Sequence, residues 1–333
     1  MKAAVFKERG QPLAIEDIAD PTPGPGEVVL EVGRCGICGS DLHVTDEPSH
    51  LAPFGKVLGH EYAGQVIAIG KGVERIKTGD NVAVMPLSSC GQCANCLGGE
   101  PAWCAERQID GGGYAQFSLT HERQCVKLPA TLSMEDGALV EPMAVGLHTV
   151  AQSGLGAGDR VLVYGAGPIG LATVFWLKRM GAGMIAVTAR TTQRKELALQ
   201  MGADLFVTPS DDPPAAAIEA MGGPADIVFE CVGVSGLLQQ SILSVRMRGT
   251  VVLAGLCFHP DSIVPAAAVV REARIQPAAF YSLAEFQHAA EPLDQGAVEP
   301  AMMVTDTVDL SDMPPVFEAL RERTTQCKVM VKP

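Results

Sequence analysis

Four apolar residues, Val161, Leu162, Val163 and Tyr164, run directly into Gly165-Ala166-Gly167-Pro168-Ile169-Gly170, and a helix-forming stretch begins at Leu171. A G-x-G-x-x-G that ends a strand and opens a helix confines the chain to a tightly packed strand–turn–helix unit. Gly165 permits the turn, Gly167 lets backbone approach a pyrophosphate, and Gly170 lets helix and strand pack closely, so the helix N-terminus points at phosphate. An ordinary glycine turn is the alternative, but the rhythm continues. MIAVTA leads to a helical stretch over 192–201, LFVTP follows, DIVFECVG leads to another over 237–245, and GTVVLAGL comes next. This alternation predicts a doubly wound parallel sheet, a Rossmann unit, over residues 143–283.

The second strand of such a unit ends in an acidic residue when the site holds a ribose 2′-hydroxyl. Here it ends in Ala189-Arg190-Thr191-Thr192-Gln193-Arg194, with no carboxylate. Arg190 and Arg194 place two guanidinium groups where a 2′-phosphate would sit, which predicts NADP(H). A solvated helix start carrying incidental arginines is the alternative.

The N-terminal part reads differently. Between residues 27 and 129 the segments are short, β-branched and broken by glycine, which predicts an all-β domain over 1–142. After the nucleotide-binding stretch, residues 284–333 carry a helical stretch, a proline-rich break, a helix start at Ser311-Asp312 and a last strand, KVMV.

Lys and Arg number 25 against 38 Asp and Glu, a net charge of −13, and no run of four cations occurs. The basic footprint that nucleic acid requires is missing. Charges at Lys7, Glu8 and Arg9 come too early for a signal-peptide apolar core. The longest uncharged apolar-rich stretch, residues 161–177, is broken by three glycines and a proline and makes a poor membrane span. A cytoplasmic protein with small-molecule partners is expected.

Ten cysteines are too few for a disulfide-stapled scaffold, but four of them form Cys90-x2-Cys93-x2-Cys96-x7-Cys104. Four thiols on one short loop can reach a single tetrahedral centre with no open position, which predicts a structural zinc in a lobe over 88–106. An iron–sulfur cluster or two disulfides are the alternatives. Two other segments, Cys38-Gly39-Ser40-Asp41-Leu42-His43 and Gly59-His60-Glu61, are ambiguous singly. With Glu141-Pro142 they offer thiolate, imidazole and carboxylates, a mixed set suited to a catalytic zinc.

CGICGSDLH at 35–43, GHE at 59–61, the four-Cys loop, GGGYAQF at 111–117, EPMAVGLH at 141–148 and GAGPIG at 165–170 occur in one order and spacing. In that order the chain resembles the zinc-dependent medium-chain alcohol dehydrogenases. The resemblance implies a GroES-like β-rich catalytic domain, completed by the C-terminal segment, together with the Rossmann domain.

It further implies Cys38 and His60 as firm ligands of the catalytic zinc, Glu61 and Glu141 as an exchanging pair, Ser40 as the hydroxyl that passes the substrate proton on, and His43 as a later relay member. A structural hydrogen bond near the cofactor ribose is the other role for His43. Glu141-Pro142 is similar to the sorbitol and threonine dehydrogenase branch, and Ala189-Arg190 to the secondary-alcohol dehydrogenases. Cys231, Val232, Leu256, Phe280 and Tyr281 align with segments lining the cofactor cleft, although their composition also fits sheet core. Thr45, Phe54, Leu97, Trp103 and Tyr281 are candidate pocket walls.

The expectation is a hydride transfer between NADP(H) and a secondary alcohol, a polyol or the matching carbonyl, with two zinc ions per chain and a homodimer or homotetramer. An NAD-dependent polyol dehydrogenase is the alternative within the family. A zinc-free quinone or enoyl reductase would lack the ligand set, and a non-catalytic NADP-binding protein would have no use for it.

Overall fold

The computed structural model describes residues 1–46, 54–208, 210–322 and 325–333. The chain divides into two compact units, one comprising Met1–Glu141 with Tyr281–Pro333 and the other Pro142–Phe280.

The second unit is built on a six-stranded sheet ordered Leu205–Val207, Met184–Thr188, Arg160–Tyr164, Ala225–Glu230, Val245–Leu253, Arg274–Pro277, with every neighbour parallel. Numbered along the chain this order is 3-2-1-4-5-6, the doubly wound arrangement. Val161, Leu162, Val163 and Tyr164 are all buried, as are Ile185, Ala186 and Val187, because a parallel sheet is covered on both faces and selects continuous apolar runs over alternating ones.

The helix Pro168–Arg179 starts with Pro168, whose missing N–H costs nothing at that position, and ends with Lys178 and Arg179 against the negative end of its dipole. Each of its residues from Gly170 to Leu177 is buried. Trp176 donates its indole N–H to the Met143 carbonyl at 2.8 Å.

Two elements of this unit were not anticipated. The helix Pro265–Arg271 has no buried residue and hence no amphipathic signature. The sixth strand, Arg274–Pro277, ends in a proline, which only an edge strand tolerates.

The first unit centres on a seven-stranded sheet whose path runs Cys125–Lys127, Asn81–Val84, Glu61–Ile69, Glu27–Gly36, Lys328–Lys332, Val304–Asp309, with Phe117–His121 also paired to Glu27–Gly36. Val28, Leu30 and Val32 alternate along the central strand into a core shared with Tyr62, Tyr114, Phe317, Val329 and Val331. A three-stranded sheet places Lys2–Phe6 between Ala14–Asp17 and Lys56–Val57. The strand Val304–Asp309 was also missed, because its residues are half-buried or exposed and its sequence, VTDTVD, carries no apolar run.

Leu87–Ser88 and Gln108–Ile109 pair antiparallel and bracket the four-cysteine loop, which contains only a short helix, Ala94–Leu97, and one turn of 3-10 helix, Pro101–Trp103. Leu97 and Trp103 point outward at 77% and 41% exposure, and the helical pieces bury only Ala102, so the lobe has no apolar core of its own. Among the described residues no helix is long and apolar enough to cross a membrane.

Candidate active site

Among the described residues, two groups of metal-ligating side chains converge in the first unit. Ligand atoms of Cys38, His60 and Glu61 lie within 4.8 Å of one another, and so do the sulfurs of Cys90, Cys93, Cys96 and Cys104.

In the four-thiol group, neighbouring sulfurs are 3.5, 3.6 and 3.9 Å apart. Zinc–sulfur bonds of about 2.3 Å in a tetrahedron put the sulfurs about 3.8 Å apart, whereas a disulfide holds them at about 2.05 Å. All four cysteines are free thiols, so the disulfide alternative is removed and the donor set fits one closed zinc site.

The second group is assembled at the starts of two elements. Cys38 immediately precedes the helix Gly39–Asp46, which also carries Ser40, Asp41 and His43, and His60-Glu61 stand at the start of the strand Glu61–Ile69. Ser40 donates its hydroxyl to Cys38 Sγ at 3.3 Å. His43 lies on the exposed face of the helix.

Glu141 lies outside the 4.8 Å group. It is buried in the helix Met134–Ala151, next to Pro142, and its Oε1 accepts a 2.8 Å hydrogen bond from the Tyr281 hydroxyl. Burial raises its carboxyl to about 7, with Glu61 adding to the rise while His60 and Tyr281 oppose it.

Two polar partners support this group, and neither was singled out from the sequence. Asp41 Oδ1 lies 3.3 Å from His60 Nδ1, and Tyr114 donates to Asp41 Oδ2 at 2.6 Å. Burial alone would lower the His60 pKa, but the charges of Asp41 and Cys38 outweigh it and raise it well above the ordinary value. Burial likewise favours neutral Asp41, yet His60 and the Tyr114 bond hold its carboxyl below the usual range.

Lys328 is buried at 1% exposure and bonds both oxygens of Glu61, which overcomes the effect of burial and raises its pKa. Asp41 stood inside a quoted motif and could have been found there. Lys328 could not, because 267 residues separate it from Glu61.

Thiolate, imidazole and carboxylate with fewer than four close donors fit a zinc that keeps a position open. Tyr281 belongs to the first unit, where its hydroxyl donates to Glu141 and its ring stacks on Phe286 at 5.4 Å. Thr45, expected as a pocket wall, is also buried, with its hydroxyl donating to the Asp41 and Leu42 carbonyls.

In the second unit the expected nucleotide residues gather at the carboxyl ends of the parallel strands, where doubly wound folds bind ligands. Gly165 has a φ of +108°, open to glycine alone, and a Cβ at Gly170 would stand 2.1 Å from the Gly165 carbonyl oxygen. Gly167 differs, since its Cβ would meet only Arg194 Nη1, at 3.9 Å. The protein itself therefore leaves that face of the loop free, as close approach of a pyrophosphate requires.

Pro168 and Ile169 open the helix, and Ala189, Arg190 and Thr191 follow the second strand. Arg190 is exposed, while Arg194 bonds the Ala166 carbonyl at 3.3 Å across the glycine loop. A Cβ on Gly165 would touch Val232 at 2.8 Å, and one on Gly233 would touch the Leu256 backbone at 2.5 Å, so these loops adjoin. Cys231 lies beside Thr173, with burial pushing its thiol up to about 12. Phe280, half-buried with a φ of 62°, closes this unit.

Residues 24–130 match the alcohol dehydrogenase GroES-like domain, and residues 168–295 match the zinc-binding dehydrogenase domain. An (R,R)-butanediol dehydrogenase from Bacillus subtilis is 35% identical, with 100% of both chains covered. The chain belongs to the zinc-dependent medium-chain alcohol dehydrogenase family.

The sorbitol dehydrogenase of Gallus gallus, another relative, is 37% identical over 82% of this chain and 80% of its own. A Sinorhizobium meliloti protein provisionally assigned as a zinc-binding dehydrogenase, with a structure determined bound to NADP, superimposes with a TM-score of 0.91 at 31% identity, covering 100% of this chain and 99% of its own. The GroES-like and Rossmann architecture of the family is the one described above, and its members are alcohol oxidoreductases that use zinc and a nicotinamide cofactor.

Proposed function

We propose that this protein is an NADP(H)-dependent zinc alcohol dehydrogenase acting on a secondary alcohol or polyol, or reducing the matching carbonyl. The observation that carries this reading is the convergence of Cys38, His60 and Glu61 within 4.8 Å, with the Ser40 hydroxyl on the cysteine sulfur.

Cys38, His60 and Glu61, with Glu141 exchanging, would hold one zinc, and Cys90, Cys93, Cys96 and Cys104 the other. The first zinc, when bound, acts as a Lewis acid that makes the alcohol proton leave near neutral pH. Ser40, whose hydroxyl lies on the Cys38 sulfur, would accept that proton and pass it outward, with His43 on the same helix as the next member. Asp41 orients His60. The glycine loop and Pro168–Arg179 would hold the pyrophosphate of the cofactor, which supplies or accepts the hydride, and Arg190 with Arg194 would meet its 2′-phosphate. Val232, Leu256 and Phe280 complete the nucleotide loops.

Ten cysteines with no disulfide among the described residues suit a reducing, cytoplasmic compartment. A homodimer or homotetramer joined through the Rossmann units fits the exposed Val269 and Val270, at 72% and 68%, beside the edge strand Arg274–Pro277.

A second reading, an NAD-dependent polyol dehydrogenase, is favoured by the butanediol and sorbitol dehydrogenase relatives. Turnover of vicinal diols, longer polyols and secondary alcohols with each cofactor separates the two. NADP-linked oxidation of at least one supports the proposal. Activity with NAD alone moves the assignment to the second reading, and no activity with either removes both.

A further inference from the structure

Lys328 takes no part in the scheme above, and its surroundings are unusual for a lysine. It lies on a strand inside the sheet, beside Glu27–Gly36, at 1% exposure. Its Nζ lies 2.7 and 2.5 Å from Oε1 and Oε2 of Glu61 and donates to the Ile37 carbonyl at 3.1 Å, which engages its three donors. Gly36 makes the room, since a Cβ there would stand 2.2 Å from Glu61 Oε2 and 3.2 Å from Lys328 Cδ. Burying such a pair is costly, and apolar replacements of buried pairs are often at least as stable, so stability alone is a weak reason for it.

Two cations contend for this one carboxylate. Glu61 is the carboxylate brought within 4.8 Å of Cys38 and His60, yet both of its oxygens already face an ammonium. We propose that Lys328 is a positioning residue for the catalytic metal: by engaging both oxygens of Glu61 it keeps that carboxylate a displaceable ligand, so the set Cys38, His60 and Glu61 retains a position that substrate oxygen can take. Without the ammonium, Glu61 closes on the metal and the site shifts toward the closed type of the four-thiol lobe. This inference rests on the reading of Cys38, His60 and Glu61 as a zinc site.

The test equilibrates purified holoenzyme with graded concentrations of dipicolinate and counts the zinc retained. Lys328→Met should hold the more labile of its two zincs about tenfold more tightly than the unmodified protein, and Lys328→Arg, which keeps a cation on Glu61, should restore the original value. A residue that merely steadies a ligand acts with the opposite sign, since losing such a partner weakens metal binding by about 10- to 100-fold. Retention equal to or weaker than that of the unmodified protein therefore overturns the proposal.

In a Glu61→Gln background, adding Lys328→Met should change nothing. A gain there would mean plain charge repulsion and would overturn the role given to Glu61. If Lys328→Met does not fold, Lys328→Gln, which keeps an N–H donor, is measured on the same scale and must still hold zinc more tightly than the unmodified chain. Failure of the underlying zinc reading is separately visible as fewer than two zincs in the unmodified protein.

Discussion

Asp41 Oδ1 lies 3.3 Å from Nδ1 of His60, a carboxylate–imidazole contact of the kind that orients a metal-binding histidine. The Tyr114 hydroxyl, 2.6 Å from the other Asp41 oxygen, fixes the carboxylate in turn. Asp41→Asn should lower zinc affinity at Cys38, His60 and Glu61 by about 10- to 100-fold while sparing the four-thiol site. Zinc retention against a chelator measures it, and unchanged retention would reduce Asp41 to a helix-ordering residue.

Cys96→Ser should release the zinc of the four-thiol lobe and lower Tm, because the helical pieces of the lobe bury no apolar side chain beyond Ala102. Zinc content should fall from two to one per chain, with the remaining ion still removable by a chelator. Retention of both ions with an unchanged Tm would contradict the closed-site assignment.

Arg190 is exposed at the end of the second Rossmann strand, whereas Arg194 is tied to the Ala166 carbonyl. Arg190→Ala should remove a charge-assisted contact of about 1.5–3 kcal/mol, roughly ten- to a hundredfold in kcat/KM for NADP, with little change for NAD. Ala189→Asp with Arg190→Ala should reverse the preference by adding an acceptor and a repulsive charge together. Equal weakening of both cofactors would mark Arg190 as a surface charge.

Burial raises the carboxyl of Glu230 above its ordinary range, although the amides of Val232 and Gly233 donate to Oε1 at 2.8 and 2.9 Å and pull it back. Between its unfolded and folded pKa values the native chain holds a proton that the unfolded chain has lost, so this contribution to stability fades as pH rises through that window. Glu230→Gln keeps an acceptor for both amides and has no proton to lose. Its Tm should therefore depend less on pH in the weakly acidic range, the difference being at most about 1.4 kcal/mol per pH unit. Parallel Tm profiles would show that Glu230 does not titrate there.

What could be read from the sequence was what depends on local pattern. The apolar runs of the parallel sheet, the glycine loop and the four-thiol spacing each carry their geometry within some ten to fifteen residues, and the structure has each of them. Val304–Asp309 and Arg274–Pro277 carry no such pattern, because edge strands are selected by a neighbour and not by their own periodicity. Tyr281 is ambiguous in the sequence for a related reason. A tyrosine that packs as core and one that lines a cleft look alike until the partner of its hydroxyl, Glu141, is known.

The catalytic unit is discontinuous, and this bears on the order of assembly during synthesis. Pro142–Phe280 is contiguous and can fold as soon as it has been made. The sheet of the other unit waits for Lys328–Lys332, which fills the place between Glu27–Gly36 and Val304–Asp309. Until that strand arrives, the Cys35–Gly36 end of the central strand lacks the partner it has in Met330 and Val331, and Glu61 has no buried counter-charge. On the ribosome, the half made first is therefore the half finished last, and it is the part most exposed to mispairing in the interval.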